Sequence, residues 1–80
     1  MDRLPALSSR EVIAVLRRSG CVDAPRRGKG SHRAFVRRTP DGIIRLVIVP
    51  QSASLPRGTL RAILRQAGFS VEEFGAMLRK

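Results

Sequence analysis

The residues from His32 to Pro50, HRAFVRRTPDGIIRLVIVP, contain the most informative pattern of the sequence. Its first part predicts a strand from His32 to Arg38, and its last part is a β-branched run from Ile43 to Val49 that the following proline ends. Between them, Thr39-Pro40-Asp41-Gly42 has proline, aspartate and glycine in the order of a hairpin loop. We therefore expect two antiparallel strands.

The second strand of this hairpin has unequal faces. Residues two apart share a face, so Ile44, Leu46 and Ile48 form one wholly apolar face. Arg45 interrupts the opposite face. The pattern predicts a sheet that is covered on its apolar side and wetter on the other.

A helix is predicted before the hairpin. Ser8 can cap it, and Glu11, three residues later, completes a capping box. The helical pattern continues to about Ser19 and ends at Gly20, which supplies a left-handed stop. The residues on its apolar face are Val12, Ile13 and Leu16.

The segment between this helix and the hairpin is weakly patterned. Residues 21–26 are a candidate strand that would be the first in the chain, and Arg27-Gly28-Lys29-Gly30-Ser31 suits a tight, exposed turn. This turn could present backbone N–H groups to a phosphate, although it matches neither the P-loop nor the dinucleotide fingerprint. A turn that needs positive backbone dihedral angles is an equally good explanation.

Two more helices are predicted after the hairpin. The first runs from about Arg57 to Ala67 and the second begins at a Ser70–Glu73 capping box. The residues expected to face inward are Leu60, Ile63, Leu64, Ala67, Phe74, Met77 and Leu78. The predicted fold class is α+β, with helices packed on one face of a three-stranded antiparallel sheet in the order α-β-β-β-α-α. A chain of 80 residues is expected to form a single domain, 1–80.

The composition is strongly basic. The chain has 16 Lys and Arg residues against 6 Asp and Glu residues, a formal net charge of +10, and 14 of the basic residues are arginine. Guanidinium groups bind phosphate oxygens with paired hydrogen bonds and stack on bases, so this balance favours a nucleic-acid partner. A GC-rich genome that encodes arginine in place of lysine is the alternative explanation.

Several classes of function are disfavoured. Cys21 is the single cysteine and His32 the single histidine, so we expect no disulfide, no metal site and no small-molecule cofactor. Three aromatic residues, all Phe, are too few for a base-stacking platform, and no paired carboxylates or Ser/His/Asp set is evident. Neither a membrane span nor a signal peptide is recognisable, which leads us to expect a cytoplasmic protein without membrane contact.

His32 is the candidate catalytic residue. A histidine with a near-neutral pKa can remove the proton of a ribose 2′-hydroxyl, and nearby cations can stabilise charge that develops at phosphorus. The basic residues near it in the sequence are Arg26, Arg27, Lys29 and Arg33. The alternative is structural, because His32 has the strand parity of Ala34 and Val36 and could point inward.

A stripe of arginines runs along one side of the first helix after the hairpin. Arg57, Arg61 and Arg65 could track a nucleic-acid backbone, although a solvated helix face would have the same pattern. The RNA-binding candidates are these three together with Arg26, Arg27, Lys29, Gly30, Ser31 and Arg33.

Three stretches carry a family resemblance over nearly the whole chain. They are Leu7-Ser8-Ser9-Arg10-Glu11-Val12, Lys29-Gly30-Ser31-His32 and PRGTLRAILRQAG from Pro56 to Gly68. In this order and spacing they resemble the HicA-type, or YcfA-like, mRNA interferase toxins. Neither the Gly-Ser-His nor the Gly-Thr-Leu block alone has this specificity.

The resemblance implies a fold similar to double-stranded-RNA-binding domains, ribosome-independent cleavage of mRNA, and a HicB-type antitoxin that masks the active surface. It also implies that the histidine of the Gly-Ser-His block, His32, is catalytic. Many relatives have a second histidine in the loop after the third strand, where this chain reads Pro50-Gln51-Ser52-Ala53. The second acid–base group is therefore unassigned.

We expect the toxin of a type II toxin–antitoxin pair, an endoribonuclease that cleaves mRNA without metal. A non-catalytic double-stranded-RNA-binding module is the alternative, because it shares the order of elements and the charge. A DNA-associated accessory protein ranks last, since nothing resembles a helix-turn-helix pair.

Overall fold

The computed structural model describes residues 4–79. It has a three-stranded antiparallel sheet in the order β1-β2-β3, with helices before and after it in the chain. The elements are α1 (Ser9–Arg18), β1 (Val22–Asp23), a 3₁₀ turn (Pro25–Arg27), β2 (Arg33–Arg38), β3 (Ile44–Val49), α2 (Arg57–Ala67) and α3 (Val71–Leu78). The predicted α+β class and the order of its elements are confirmed.

The helix boundaries follow the local signals in the sequence. At the start of α1, Ser8 Oγ accepts from the Glu11 N–H at 3.1 Å, and the Ser8 N–H donates to Glu11 Oε1 at 2.9 Å. The same capping box begins α3. These bonds satisfy N–H groups that have no partner within the helix. Gly20 follows α1 with a positive φ, as predicted, and Gly68 follows α2 in the same way.

The core lies between the helices and one face of the sheet. Phe35 of β2 and Phe74 of α3 are fully buried, as is Val47 of β3. The helical residues predicted to face inward are also buried in α1 and α2, namely Val12, Ile13, Leu16, Leu60, Ile63, Leu64 and Ala67. Met77 and Leu78 are partly buried and pack against this core.

The hairpin forms the larger part of the sheet. β2 and β3 pair along their whole length, from Arg33 opposite Val49 to Arg38 opposite Ile44. β1 pairs antiparallel with the other side of β2. β2 is therefore the central strand. The residues just before it lie at one edge of the sheet, where the central strand begins.

The prediction of which face of the sheet is covered is wrong. Val47 and Val49 are the buried residues of β3, whereas Ile44 is 61% exposed and Leu46 and Ile48 are only partly buried. The helices therefore cover the face that contains an arginine, and the wholly apolar face is the more open one.

The two arginines on the covered face, one in β2 and one in β3, lie beside the end of α2. Arg37 and Arg45 lie opposite each other in the β2–β3 register. Arg37 Nη1 donates to the carbonyl oxygen of Ala67 at 2.6 Å, and its guanidinium lies 3.9 Å from the centre of the Phe69 ring. Carbonyl groups at a helix C-terminus lack intrahelical partners and carry partial negative charge, so cations are favourable there. Arg37 therefore fits on the covered face, whereas Arg45 Nε is buried there without a hydrogen-bond partner among the described residues.

Candidate active site and nucleic-acid interface

His32 lies on the surface, in the turn immediately before β2. Its main-chain N–H donates to the carbonyl oxygen of Lys29 at 3.0 Å, and Gly30 within this turn has a φ of 59°. β2 begins one residue later than predicted, so His32 stands outside the ladder, while Ala34 is buried within it. The inward orientation that strand parity allowed is therefore wrong, and the ring is accessible to a ligand.

A recess of about 190 Å³ adjoins His32. Arg33, Asp23 and Gly28 also line it. A Cβ atom at Gly28 would lie 2.6 Å from the His32 carbonyl oxygen, a distance at which the backbone must shift. The two glycines of the predicted turn thus have different roles, because Gly28 permits a close approach while Gly30 supplies the positive φ.

Asp23 fixes the position of the arginine that follows His32. Arg33 Nη2 donates to Asp23 Oδ2 at 2.7 Å, and Arg17 of α1 donates to both carboxylate oxygens, at 3.0 and 2.8 Å. Both guanidinium groups lie over the Phe35 ring, with Arg33 at 5.6 Å and Arg17 at 5.9 Å from its centre. This network joins α1, β1 and β2 beside the recess.

The two arginines also determine the charge state of Asp23. The hydrogen bond from Arg17, with a smaller effect from Arg33, holds the pKa of the Asp23 carboxyl below its ordinary value. The three side chains are between 40% and 49% exposed, so solvent screens their attraction. Asp23 therefore stays ionised and orients the two arginines; it is not a proton donor at neutral pH.

A larger cleft of about 990 Å³ lies between α1 and the loop after β3. Arg10 and Arg17 of α1, Arg33 of β2, and Gln51 and Ser52 of the loop supply polar groups to its lining. Arg33 lines both this cleft and the recess at His32. The two cavities are therefore neighbours that share one lining residue, Arg33.

The loop after β3 is fixed to the start of α1 by Ser9. Ser9 Oγ donates to the carbonyl oxygen of Pro50 at 2.5 Å and accepts from the Ser52 N–H at 2.6 Å. The Ser9 side chain is buried, so these bonds are protected from water. The β2–β3 register brings the start of this loop opposite His32. The loop is thus near the candidate catalytic residue, but it contains no titratable side chain.

The structure brings together only some of the residues predicted from the sequence. His32, Arg33 and Gly30 line the recess. The other predicted residues are exposed and line neither cavity; they are Arg26, Arg27, Lys29 and Ser31 near the recess in the sequence, and Arg57, Arg61 and Arg65 along α2. Their contact with RNA remains a prediction.

Sequence analysis missed three charged residues of this region. Arg10 and Arg17 are seven residues apart on α1, about two helical turns, which places them on the same side of the helix. That spacing was the available signal. The pairing of Asp23 with two arginines depends on how α1 packs beside β1, which no local pattern indicates.

The described residues also bear on cofactors and membranes. Within residues 4–79, no three His, Cys, Asp or Glu side chains come close enough to hold a metal ion. Cys21 is buried in the core, and burial raises the pKa of its thiol. None of the helices in this part of the chain has the length and apolar character needed to cross a membrane.

The fold and its exposed histidine define a small, basic α+β protein with a surface site at one end of the sheet. The family model described as the HicA toxin of bacterial toxin–antitoxin systems matches residues 9–69. The chain therefore belongs to the HicA toxin family, and this membership implies an antitoxin partner. No curated protein matches the sequence.

Proposed function

We propose that this toxin is an endoribonuclease that cleaves mRNA without the ribosome and without metal. The observation that carries the proposal is the exposed His32, which lines the same recess as Arg33 and Asp23. The net charge of +10 supports a polyanionic substrate. Residues 1–80 act as a single RNA-cleaving domain in the cytoplasm, and a HicB-type antitoxin neutralises it.

His32 is the base of the proposed reaction. One ring nitrogen removes the proton from a ribose 2′-hydroxyl, and the resulting oxygen attacks the adjacent phosphorus. The bond between phosphorus and the 5′-oxygen of the next nucleotide then breaks. The products are an RNA end with a 2′,3′-cyclic phosphate and an RNA end with a 5′-hydroxyl.

Cations next to His32 stabilise the phosphorus centre during this attack. Arg33 lies in the recess itself, and hydrogen bonds from a guanidinium to phosphate oxygens strengthen as negative charge accumulates on them. The exposed Lys29 contributes a second positive charge, and the backbone of Gly30 and Ser31 offers N–H donors from the same turn. Arg26 and Arg27 lie in the adjacent 3₁₀ turn and bind flanking phosphates.

The leaving 5′-oxygen takes its proton from solvent in this proposal. Asp23 is unsuited to donate because its lowered pKa keeps it ionised, and the loop after β3 has only Gln51, Ser52 and Ala53 facing the cleft. Water reaches the site because His32 is exposed. The hydroxide formed recovers the proton from the imidazolium, which restores the neutral base.

The proposal is tested by the chemistry of the products. Purified toxin is incubated with a short RNA in excess EDTA, and with the same RNA carrying a single 2′-deoxy nucleotide at the cleaved position. We expect the toxin to cut the all-ribose RNA and to leave a 2′,3′-cyclic phosphate end. The RNA with the 2′-deoxy nucleotide should stay intact at that bond. Cleavage of the deoxy bond would exclude attack by the 2′-hydroxyl.

The same assay separates the alternative function. A non-catalytic double-stranded-RNA-binding module would bind duplex with a steep salt dependence and leave every RNA intact after long incubation. The exposed Arg57, Arg61 and Arg65 on α2 could serve such binding as well as the flanking RNA of a nuclease substrate. Scission therefore decides between the two functions, whereas binding does not.

A further inference from the structure

Among residues 4–79, those that line the cleft between α1 and the loop after β3 include three arginines and no carboxylate. Arg10, Arg17 and Arg33 supply the positive charge. The nearest acid that pairs with them is Asp23, which binds Arg17 and Arg33 together and so offsets one charge of the three. Glu11 is engaged in the capping box at the start of α1. The cleft is therefore positively charged even after its ion pairs are counted.

The walls of this cleft are fixed before any ligand binds. Ser9 ties the loop after β3 to α1 through its buried hydroxyl group. Asp23 holds Arg17 with two hydrogen bonds, and Phe35 lies beneath both Arg17 and Arg33. Side chains that are already ordered lose less entropy on binding, which favours affinity.

Arg33 makes the cleft continuous with the recess at His32, because it lines both. Along α1, Arg10 and Arg17 are separated by roughly 10 Å, from seven residues at the helical rise. Ala14, which lies between them in the cleft lining, has a small side chain that leaves the space open. The cleft thus presents cations at successive positions leading away from the proposed catalytic residue.

We propose that this cleft is a single-stranded RNA subsite, in which Arg10 and Arg17 bind backbone phosphates of the nucleotides next to the cleaved bond. The inference rests on the proposed function for the direction of the strand past His32. A concave cleft of about 990 Å³ accommodates one strand, whereas the convex surface of a duplex would reach only its rim. Arg33 contacts the phosphate shared between the cleft and the recess.

The test measures binding without cleavage. The probe is a fluorescein-labelled single-stranded oligonucleotide with 2′-O-methyl groups at every position, which blocks the 2′ nucleophile. Its affinity is measured by fluorescence anisotropy over a range of salt concentrations. The variants are Arg10→Ala, which removes a cleft cation, and the matched control Arg38→Ala, which removes an exposed cation at the opposite end of β2.

We expect Arg10→Ala to weaken binding about 5- to 10-fold at low salt and to reduce the slope of log K against log salt by about 0.7, the value for one phosphate contact on a single strand. Arg38→Ala should change the affinity less than about twofold. Arg17→Lys, which keeps the charge but loses the paired bonds to Asp23, should weaken binding to an intermediate extent. Circular dichroism shows whether each variant is folded.

Equal weakening by Arg10→Ala and Arg38→Ala would overturn the subsite, because the binding would then follow overall charge alone. Tighter binding of a 2′-O-methyl duplex than of the single strand would overturn it as well. The outcome is independent of catalysis. If His32→Ala cleaved RNA as wild type does, the proposed mechanism would fail. The binding comparison would still show whether the cleft binds single-stranded RNA.

Discussion

Arg33 donates a hydrogen bond from Nη2 to Oδ2 of Asp23 over 2.7 Å, and this pair connects the candidate base to the rest of the fold. Arg33 follows His32 directly in the chain, and Asp23 lies on the neighbouring strand β1. The same carboxylate binds Arg17 on α1. A helix, an edge strand and the central strand therefore all contribute to the orientation of the guanidinium of Arg33, the residue that follows His32.

Replacement of Arg33 should affect cleavage more than binding. Arg33→Ala removes a donor to the developing negative charge, and the expected decrease in the cleavage rate is roughly 10²- to 10³-fold. Arg33→Lys should retain part of the rate because it keeps the charge without the paired hydrogen bonds. Single-turnover rates measured with saturating toxin separate this effect from affinity. Similar rates for Arg33→Ala and wild type would remove Arg33 from the reaction.

The Asp23 network should make stability depend on acid in a defined direction. The pKa of Asp23 is lowered in the folded state, so its contribution is present above the ordinary aspartate pKa of about 3.9 and is lost as pH falls through the lowered value. We expect wild type to have a higher Tm than Asp23→Asn at pH 7. The difference should shrink below about pH 4 and vanish at lower pH. A Tm difference that is the same at pH 2 and pH 7 would contradict an ionic role.

Gly28→Ala should disrupt the turn that carries His32. The added Cβ would meet the His32 carbonyl oxygen at 2.6 Å, so the backbone must move. We expect a loss of cleavage together with a destabilisation of about 1–3 kcal/mol, the usual cost of overpacking. Cleavage assays and urea unfolding measure the two effects.

Gly75→Ala is the matched control for that substitution. Gly75 lies within α3, where the nearest atom to an added Cβ is the far end of the Arg79 side chain at 3.4 Å. Alanine should therefore stabilise the helix by about 0.5–1 kcal/mol and leave cleavage unchanged. Equal effects of the two alanine variants on cleavage would show that the close approach at Gly28 has no special role.

Alanine substitutions at two residues of β3 test which face of the sheet the helices cover. Val47 is fully buried, whereas Ile44 is 61% exposed. Val47→Ala should lower the free energy of unfolding by about 2 kcal/mol, from lost burial and the cavity left behind. Ile44→Ala should lower it by less than about 1 kcal/mol, although it removes more atoms. The reverse order in urea unfolding would mean that the other face is covered.

Local signals in the sequence were sufficient for the elements of the fold. The capping boxes at Ser8 and Ser70 and the stops at Gly20 and Gly68 act over a few residues, and they have the same effect in any tertiary context. The hairpin loop is local in the same sense. These features could therefore be predicted from residue types and spacing.

The covered face of the sheet could not be predicted in this way. Both faces of β3 contain apolar residues, and the choice depends on where α2 ends relative to the sheet. Arg37 and Arg45 lie at that end, where carbonyl groups accept from Arg37. The carbonyl group that accepts from Arg37 is distant in sequence. An arginine that the alternation of side chains along a strand assigns to solvent can therefore belong to the covered face.

The candidate site likewise has a part that local sequence predicts and a part that depends on tertiary packing. His32 and Arg33 are adjacent in the sequence, and their proximity was predictable. The cleft formed with Arg10 and Arg17 depends on the packing of α1 beside the loop after β3, which Ser9 fixes from more than forty residues away. No local pattern marks that contact.

Whether His32 is the base is decided by the cleavage rate of His32→Ala in excess EDTA, measured beside its affinity for the 2′-O-methyl single strand. If His32 is the base, the rate should fall by at least about 10²-fold while the affinity stays within about twofold of wild type. Cleavage by the alanine variant as fast as by wild type would show that this exposed histidine does not carry the reaction.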